Sequence, residues 1–139
     1  RLLLAALIDA ASRGVEVSLL MAGRSDLPFM TSASRAFYET LLQSGVRIFE
    51  WNSRVLHAKT AVVDGHWGTL GSFNLEKTSL TRNHEVNVFF DEPLLAAALD
   101  RNLEGDLQQS REIRLSKWKR RPFHQRLWEK LVLRLVHLF

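Results

Sequence analysis

The sequence of 139 residues contains no cysteine. Disulfide frameworks, thiolate metal sites and cysteine nucleophiles are therefore excluded, while the redox compartment stays open. Proline occurs three times and glycine seven times, too rarely for a collagen-like or Pro/Gly-rich flexible chain. No apolar run approaches the roughly 20 residues that cross a bilayer. Leu2 to Ile8 follows a basic residue as the core of a signal peptide would. Asp9 and Arg13 interrupt that run and Gly14 supplies a helix stop, so it reads as a buried helix. Arg1 stands where a methionine is usual, so a piece of a longer chain is expected. What is present is ordinary: 46% hydrophobic and 24% charged residues, in a length that suits a single globular domain.

The net charge of +4 is unevenly divided. Residues 111–139 carry nine Lys or Arg against Glu112 and Glu129, whereas residues 1–110 carry ten against thirteen acidic residues. The composition thus breaks near residue 110, which predicts a domain over 1–110 and a basic tail over 111–139. An anionic partner meets the tail first.

Hydrophobic periodicity predicts alternating elements. Residues 2–13 read as a helix and Val15 to Leu20 as a strand. Asp26 can cap a helix that runs through Phe37, Tyr38, Leu41 and Leu42 to a stop at Gly45. Val46 to Trp51 and Val55 to Val63 read as strands. Asp64-Gly65 is a turn that folds Trp67 to Leu70 back as a hairpin. After a loop at 71–83, Glu85 to Phe90 is a further strand, and Pro93 opens a helix through Leu103. The pattern predicts an α/β fold, a mixed β-sheet flanked by helices.

The stretch from 57 to 85 carries the chemistry: His57-Ala58-Lys59, Asp64, Gly71-Ser72-Phe73-Asn74 and Glu85. On a strand, His57 and Lys59 share a face. Asp64 lies seven places on, which aims it at the opposite face; it reads as a turn or ion-pair residue rather than a chemical one. An imidazole beside a fixed positive charge, near a loop with hydroxyl, amide and backbone N–H groups, suits an anionic oxygen centre such as a phosphodiester. Glu85 can accept a hydrogen bond from the second imidazole nitrogen and fix its tautomer. Taken singly, each residue has a plainer reading: a satisfied strand histidine, a solvated lysine, turn formers at Ser72 and Asn74, an exposed strand glutamate. His66 and His84 read as surface residues, Trp51 and Trp67 as packing or pocket-rim residues, and Arg24 as an ordinary loop arginine.

The spacing resembles the phospholipase D superfamily, whose motif is His-x-Lys, four residues, Asp, six residues, then Gly-Ser-x-Asn. His57, Lys59, Asp64, Gly71, Ser72 and Asn74 match every specified position. With about one chance in twenty at each, such a match arises by accident in about 10⁻⁶ of chains this long. Glu85 falls where the family places an acidic residue that supports its histidine. Arg13 to Val17, Ala22 to Asp26, Tyr38-Glu39, Gly45 to Glu50 and Asn83 to Asn87 are similar to the second motif-bearing half of bacterial cardiolipin synthases. Ala22 stands where that family is expected to have proline.

The resemblance implies one copy of a motif that works in pairs, the second copy coming from the parent chain or from a homodimer. It implies a phosphohistidine on one histidine while the other acts as acid and base, His57 being similar to the acid/base member if this chain is the second half. Lys59, Asn74 and Ser72 would hold the phosphate oxygens, and no metal or other cofactor is expected. It further implies an anionic phospholipid substrate and a peripheral place at the bacterial inner membrane, on its cytoplasmic side.

Beyond Pro122, Phe123, Leu127, Leu131, Leu135 and Leu138 fall on one side of a helical pattern, and Arg126, Lys130, Arg134 and His137 on another. Such a helix suits the membrane surface, so 118–139 is the expected membrane contact; the plainer reading packs it on the missing half. The leading expectation is a phosphatidyltransferase of cardiolipin synthase type, for which nucleic acid is not a partner. The alternatives are a phospholipase D-type phosphodiesterase or homodimeric nuclease, and, in another class, a non-catalytic membrane-docking module.

Overall fold

The computed structural model describes residues 2–25, 28–73 and 84–136. In chain order the described elements are α1 (Leu2–Ser12), β1 (Ser18–Ala22), α2 (Pro28–Arg35), α3 (Tyr38–Gln43), β2 (Arg47–Trp51), β3 (Thr60–Val63), β4 (Trp67–Gly71), β5 (Asn87–Asp91), α4 (Pro93–Gln108), β6 (Arg111–Ile113), α5 (Leu115–Lys119) and α6 (Phe123–Val136). The expected α/β architecture is present, its strands divided between two three-stranded sheets, β1-β2-β6 and β3-β4-β5. The chain forms two compact units. The first takes the residues up to Leu56 and those from Gln109 on, and the second is His57–Gln108.

In the first unit β1 and β2 run parallel, with Ser18 opposite Arg47 and Ala22 opposite Trp51. Both are entered from a helix by the same device. Gly14 (φ +90°) and Gly45 (φ +94°) sit just past α1 and α3 in the left-handed region. The N–H of Val15 then reaches the carbonyl of Ala10, and that of Val46 the carbonyl of Leu41, each at 3.1 Å. These bonds satisfy the last carbonyls of each helix, and glycine adopts the required φ without steric cost.

The helix expected from Asp26 to Gly45 is two helices, and the proposed cap Asp26 lies outside the described residues. At Ala36 and Phe37 the backbone bonds shorten to i→i+3, to Ala33 and Ser34, which breaks the helical run before Tyr38. Tyr38 and Leu41 then enter a core with Val46, Ile48, Ile113 and Trp118. Tyr38 and Trp118 stack with ring centroids 5.0 Å apart.

Glu50, on β2, is fully buried. It accepts hydrogen bonds from Arg35 Nε at 2.8 Å and Arg111 Nη2 at 2.5 Å, which compensate its lost hydration. Burial by itself lowers the pKa of Arg35; the hydrogen bond and charge of Glu50 outweigh it, so the net shift is upward.

The residues after the composition break are of two kinds. Arg111–Ile113 pair antiparallel with β2, and Trp118 on α5 is part of the core, so this stretch joins the sheet and core of the first unit. Pro122 then precedes α6, which packs against α2 and keeps Glu129 and Val132 buried. His137 and Leu138, expected in the same helical pattern, lie outside the described residues.

In the second unit β3, β4 and β5 form an antiparallel sheet, and α4 packs on β3 and β4. Glu92 caps α4, its Oε2 accepting the N–H of Leu95 at 2.8 Å. Gly68 lies beneath the ring of Phe90, where a Cβ would have no room.

Candidate active site

The spacing of the motif is hairpin arithmetic. Asp64 (φ +51°) and Gly65 (φ +73°) turn the chain through the left-handed region, and Thr60 pairs with Leu70 and Val63 with Trp67. One step further, the N–H of Gly71 donates to the carbonyl of Lys59 at 3.1 Å. The His57-Ala58-Lys59 end of one strand is thereby held against the Gly71-Ser72 end of the next. A single inserted residue in the turn would slide this register and separate the two.

The strand expected from Val55 begins only at Thr60. Ladder pairing ends at Thr60 opposite Leu70, with the single Gly71–Lys59 bond beyond it, and residues 55–59 run as irregular backbone among the described residues. His57 and Lys59 are thus related by local backbone contact rather than by strand parity: Lys59 Nζ donates to the carbonyl of His57 at 2.8 Å. His57 is exposed and Lys59 half-buried.

Ser72 is fixed by the segment leading into β5. Its N–H donates to the carbonyl of Val86 at 3.0 Å, and its Oγ accepts the N–H of Val86 at 3.0 Å. The hydroxyl proton goes to Glu85 Oε2 at 2.5 Å. A serine hydroxyl carries one proton, so in this arrangement it serves Glu85 and positions the turn. Glu85, expected beside the imidazole of His57, accepts the Ser72 hydroxyl and stands just ahead of β5. Asn74 lies outside the described residues.

Asp64 sits in the turn, at the opposite end of β3 from Lys59. His66 Nδ1 lies 2.7 Å from Asp91 Oδ1 near that same turn. Trp51 is buried, and Trp67 is partly exposed with its ring centroid 6.0 Å from that of Phe89.

Asn87 is the residue that sequence reasoning missed. It lies opposite Gly71, accepts the N–H of Phe73 on Oδ1 at 3.1 Å and donates from Nδ2 to Thr69 Oγ1 at 3.3 Å. A Cβ on Gly71 would collide with this amide and with the carbonyl of Val86, which explains the glycine. A legible signal existed: asparagine is depleted in strands, yet here it interrupts a Val/Phe run. Phe73, Glu85, Asn87 and Phe89 together line an open depression of about 420 Å³. The arrangement offers an exposed imidazole, an ammonium, a carboxylate and an apolar wall on one unit.

The cardiolipin synthase, PLD-like domain family matches residues 1–107. The chain is 36% identical over 126 residues to cardiolipin synthase A of Proteus mirabilis, covering 91% of this chain and 26% of that protein. It is 41% identical over 116 residues to cardiolipin synthase B of Escherichia coli, covering 81% of this chain and 28% of that protein. It therefore spans about a quarter of the length of these relatives. Among solved structures, the phospholipase D family member Nuc from Salmonella typhimurium superposes with a TM-score of 0.69 at 26% identity, covering 80% of this chain and 72% of that one. The motif, the hairpin that arranges it and these likenesses agree: the chain belongs to the cardiolipin synthase, phospholipase D-like domain family.

Proposed function

We propose that this chain is one motif-bearing half of a phosphatidyltransferase of cardiolipin synthase type. The observation that carries the reading is the Lys59–Gly71 pairing, which holds the histidine end of the motif against its phosphate-loop end within a chain of this family. The second histidine comes from another motif copy, in the parent chain or in a homodimer.

The chemistry follows from two imidazoles facing one phosphodiester. One attacks phosphorus in phosphatidylglycerol, forming a P–N bond as the P–O bond to the terminal glycerol breaks. The other gives its proton to the departing alkoxide. A hydroxyl of a second phosphatidylglycerol then attacks phosphorus, passes its proton to the waiting imidazole, and the P–N bond breaks. His57 takes the acid/base role if this is the second half of its parent. Lys59 and Asn74 hold the phosphate oxygens and stabilise the five-coordinate transition state, with Glu85 and Ser72 fixing the loop and Asp64 its turn. No metal is required by this sequence of steps.

A lipid substrate places the enzyme at a bilayer, in our reading peripherally at the bacterial inner membrane on the cytoplasmic side, with 118–139 as the contact. The likeness to Nuc favours a second reading, phosphodiester hydrolysis by a homodimer, in which water replaces the acceptor alcohol.

The test is mass spectrometry of lipid products from phosphatidylglycerol vesicles in EDTA, over a range of protein concentrations, beside His57→Ala. We expect cardiolipin from the unaltered chain alone, rising faster than linearly with protein as two halves assemble. Phosphatidic acid without cardiolipin would select hydrolysis. An intact two-motif parent that keeps full activity with His57→Ala would overturn the catalytic reading, and strong inhibition by chelator would overturn the metal-free mechanism.

A further inference from the structure

α6 buries one side, and a larger apolar side is left exposed. Its inner side carries Val132 and Glu129. Glu129 receives Arg121 Nη1 on both carboxylate oxygens, at 2.5 and 2.7 Å. The Arg121 guanidinium also lies 3.3 Å from the Trp118 ring centroid, and its Nε donates to the Trp118 carbonyl at 2.9 Å. A second ion pair, Arg126 to Glu39 at 3.7 Å, adds to the hold. These contacts fix the rotation of the helix about its own axis.

That rotation turns the leucine stripe outward. Phe123 is 75% exposed, Leu127 56%, Trp128 55%, Leu131 49% and Leu135 46%. At 100° per residue they fall within an arc of about 140°, which exposed His124 and Arg134 also enter. Lys130 lies just outside one edge of the arc, Arg134 just inside that edge, and Trp128 at the other edge. The helix of 14 residues is about 21 Å long, and among the described residues no helix is long and apolar enough to cross a membrane.

We propose that this outward stripe of α6 seats in the surface of an anionic lipid bilayer. The charge decides the occupant. A partner protein would be met by an apolar patch with a mixed rim, whereas here the exposed cations beside the stripe belong to a stretch with nine basic residues against two acidic ones. Leucine and phenylalanine enter the acyl boundary, Lys130 and Arg134 extend to the phosphates, and Trp128 lies at headgroup depth. The Arg121–Glu129 clamp makes the device directional: the helix lies flat with a fixed side toward lipid, which holds the first unit in one orientation at the surface. The inference deepens the lipid-enzyme reading and rests on it for the expectation of a bilayer.

The experiment is co-sedimentation of this chain with vesicles of phosphatidylglycerol and phosphatidylcholine, against vesicles of phosphatidylcholine alone. The variants are Leu127→Glu/Leu131→Glu and Lys130→Gln/Arg134→Gln, all at exposed positions, with circular dichroism to check the fold. Binding should require the anionic lipid. It should fall by about tenfold or more in the leucine variant, and less, with a weaker salt dependence, in the basic one. Tryptophan emission should shift to the blue on binding, and less so in Trp128→Phe. Equal binding by all variants would overturn the proposal, as would no binding by the unaltered chain. A dimer that the leucine variant splits, without vesicle binding, would give the face to a second copy and overturn it too. The catalytic reading fails separately: vesicle binding through the stripe with no lipid product from the two-motif parent leaves the docking surface standing and removes the activity.

Discussion

The two units of this chain are ordered by different means. In the first, Tyr38, Leu41, Ile48, Ile113 and Trp118 form an enclosed core around a buried carboxylate with two arginines. In the second, Ala96 is the one buried hydrophobic residue among the described residues, and the sheet leaves Val88, Phe89 and Val63 about half exposed or more. The unit that carries the motif is held instead by hairpin register, two close-approach glycines and the side-chain bonds of Ser72, Glu85 and Asn87. On the proposed reading these groups meet a substrate and stay open to it, and their geometry comes from backbone pairing and short polar contacts. Changes in the first unit should therefore be read in stability, and changes in the second in geometry and activity.

The largest effect is expected at Glu50. Glu50→Ala leaves Arg35 without its buried partner and opens a cavity on β2, for a loss of about 3–5 kcal/mol. Denaturant unfolding followed by circular dichroism measures it. A loss below about 1 kcal/mol would mean that the network contributes little and that the apolar cluster alone orders this unit.

Gly71→Ala attacks the other unit. The added methyl meets the Asn87 amide and the Val86 carbonyl, so we expect about 1–3 kcal/mol of destabilisation. Lipid product should fall by more than that loss of folded protein explains, because the Ser72 turn is displaced. Combining it with Asn87→Ala should not restore activity, since the Val86 carbonyl remains in the way. Full rescue by the double variant would show that the amide alone dictates the glycine.

A smaller, pH-dependent effect belongs to Tyr38, the only tyrosine in the chain. Burial, reinforced by the charge of Glu50, lifts its phenol above the ordinary 10.0. The folded state thus keeps a proton that the unfolded chain releases above pH 10. The associated stability is fully present below pH 10 and is lost as pH rises toward the folded value, by about 1.4 kcal/mol per pH unit. Tyrosinate absorbance reads the titration directly, and Tyr38→Phe should remove this part of the alkaline decline. An absorbance change centred at pH 10 in the folded protein would refute the shift.

Much of this contrast was legible in the sequence. Gly14 and Gly45 announced the helix ends, Asp64-Gly65 the hairpin, Pro122 the last helix, and the motif residues were found by spacing. What escaped were the features that need a partner to exist. Val55 to Lys59 has strand composition but, apart from the Lys59–Gly71 bond, pairs with no strand among the described residues. Arg111–Ile113 lies in a run dominated by charge, yet three residues suffice to extend a sheet when β2 offers an edge. Trp118 looked like part of a basic tail because its core partner, Tyr38, is eighty residues away in the chain. Asn87 acquires its meaning only opposite Gly71. Even the leucine stripe of α6 was legible as a pattern, while the side it faces is set by Arg121 and Glu129.

The smallest effect should come from the motif residue farthest from the Gly71-Ser72 loop. Asp64 holds φ +51° in the hairpin turn, a region that aspartate and asparagine enter with little strain and alanine does not. If its part is the turn, Asp64→Asn should change stability by less than about 0.5 kcal/mol, and Asp64→Ala should cost about 1 kcal/mol. Thermal unfolding of the two variants separates backbone from charge. An equal loss in both would assign the work to the carboxylate rather than to the left-handed backbone. The distal end of the hairpin would then depend on electrostatics, as Glu50 does in the first unit, and the contrast between a packed unit and a register-held one would weaken at that point.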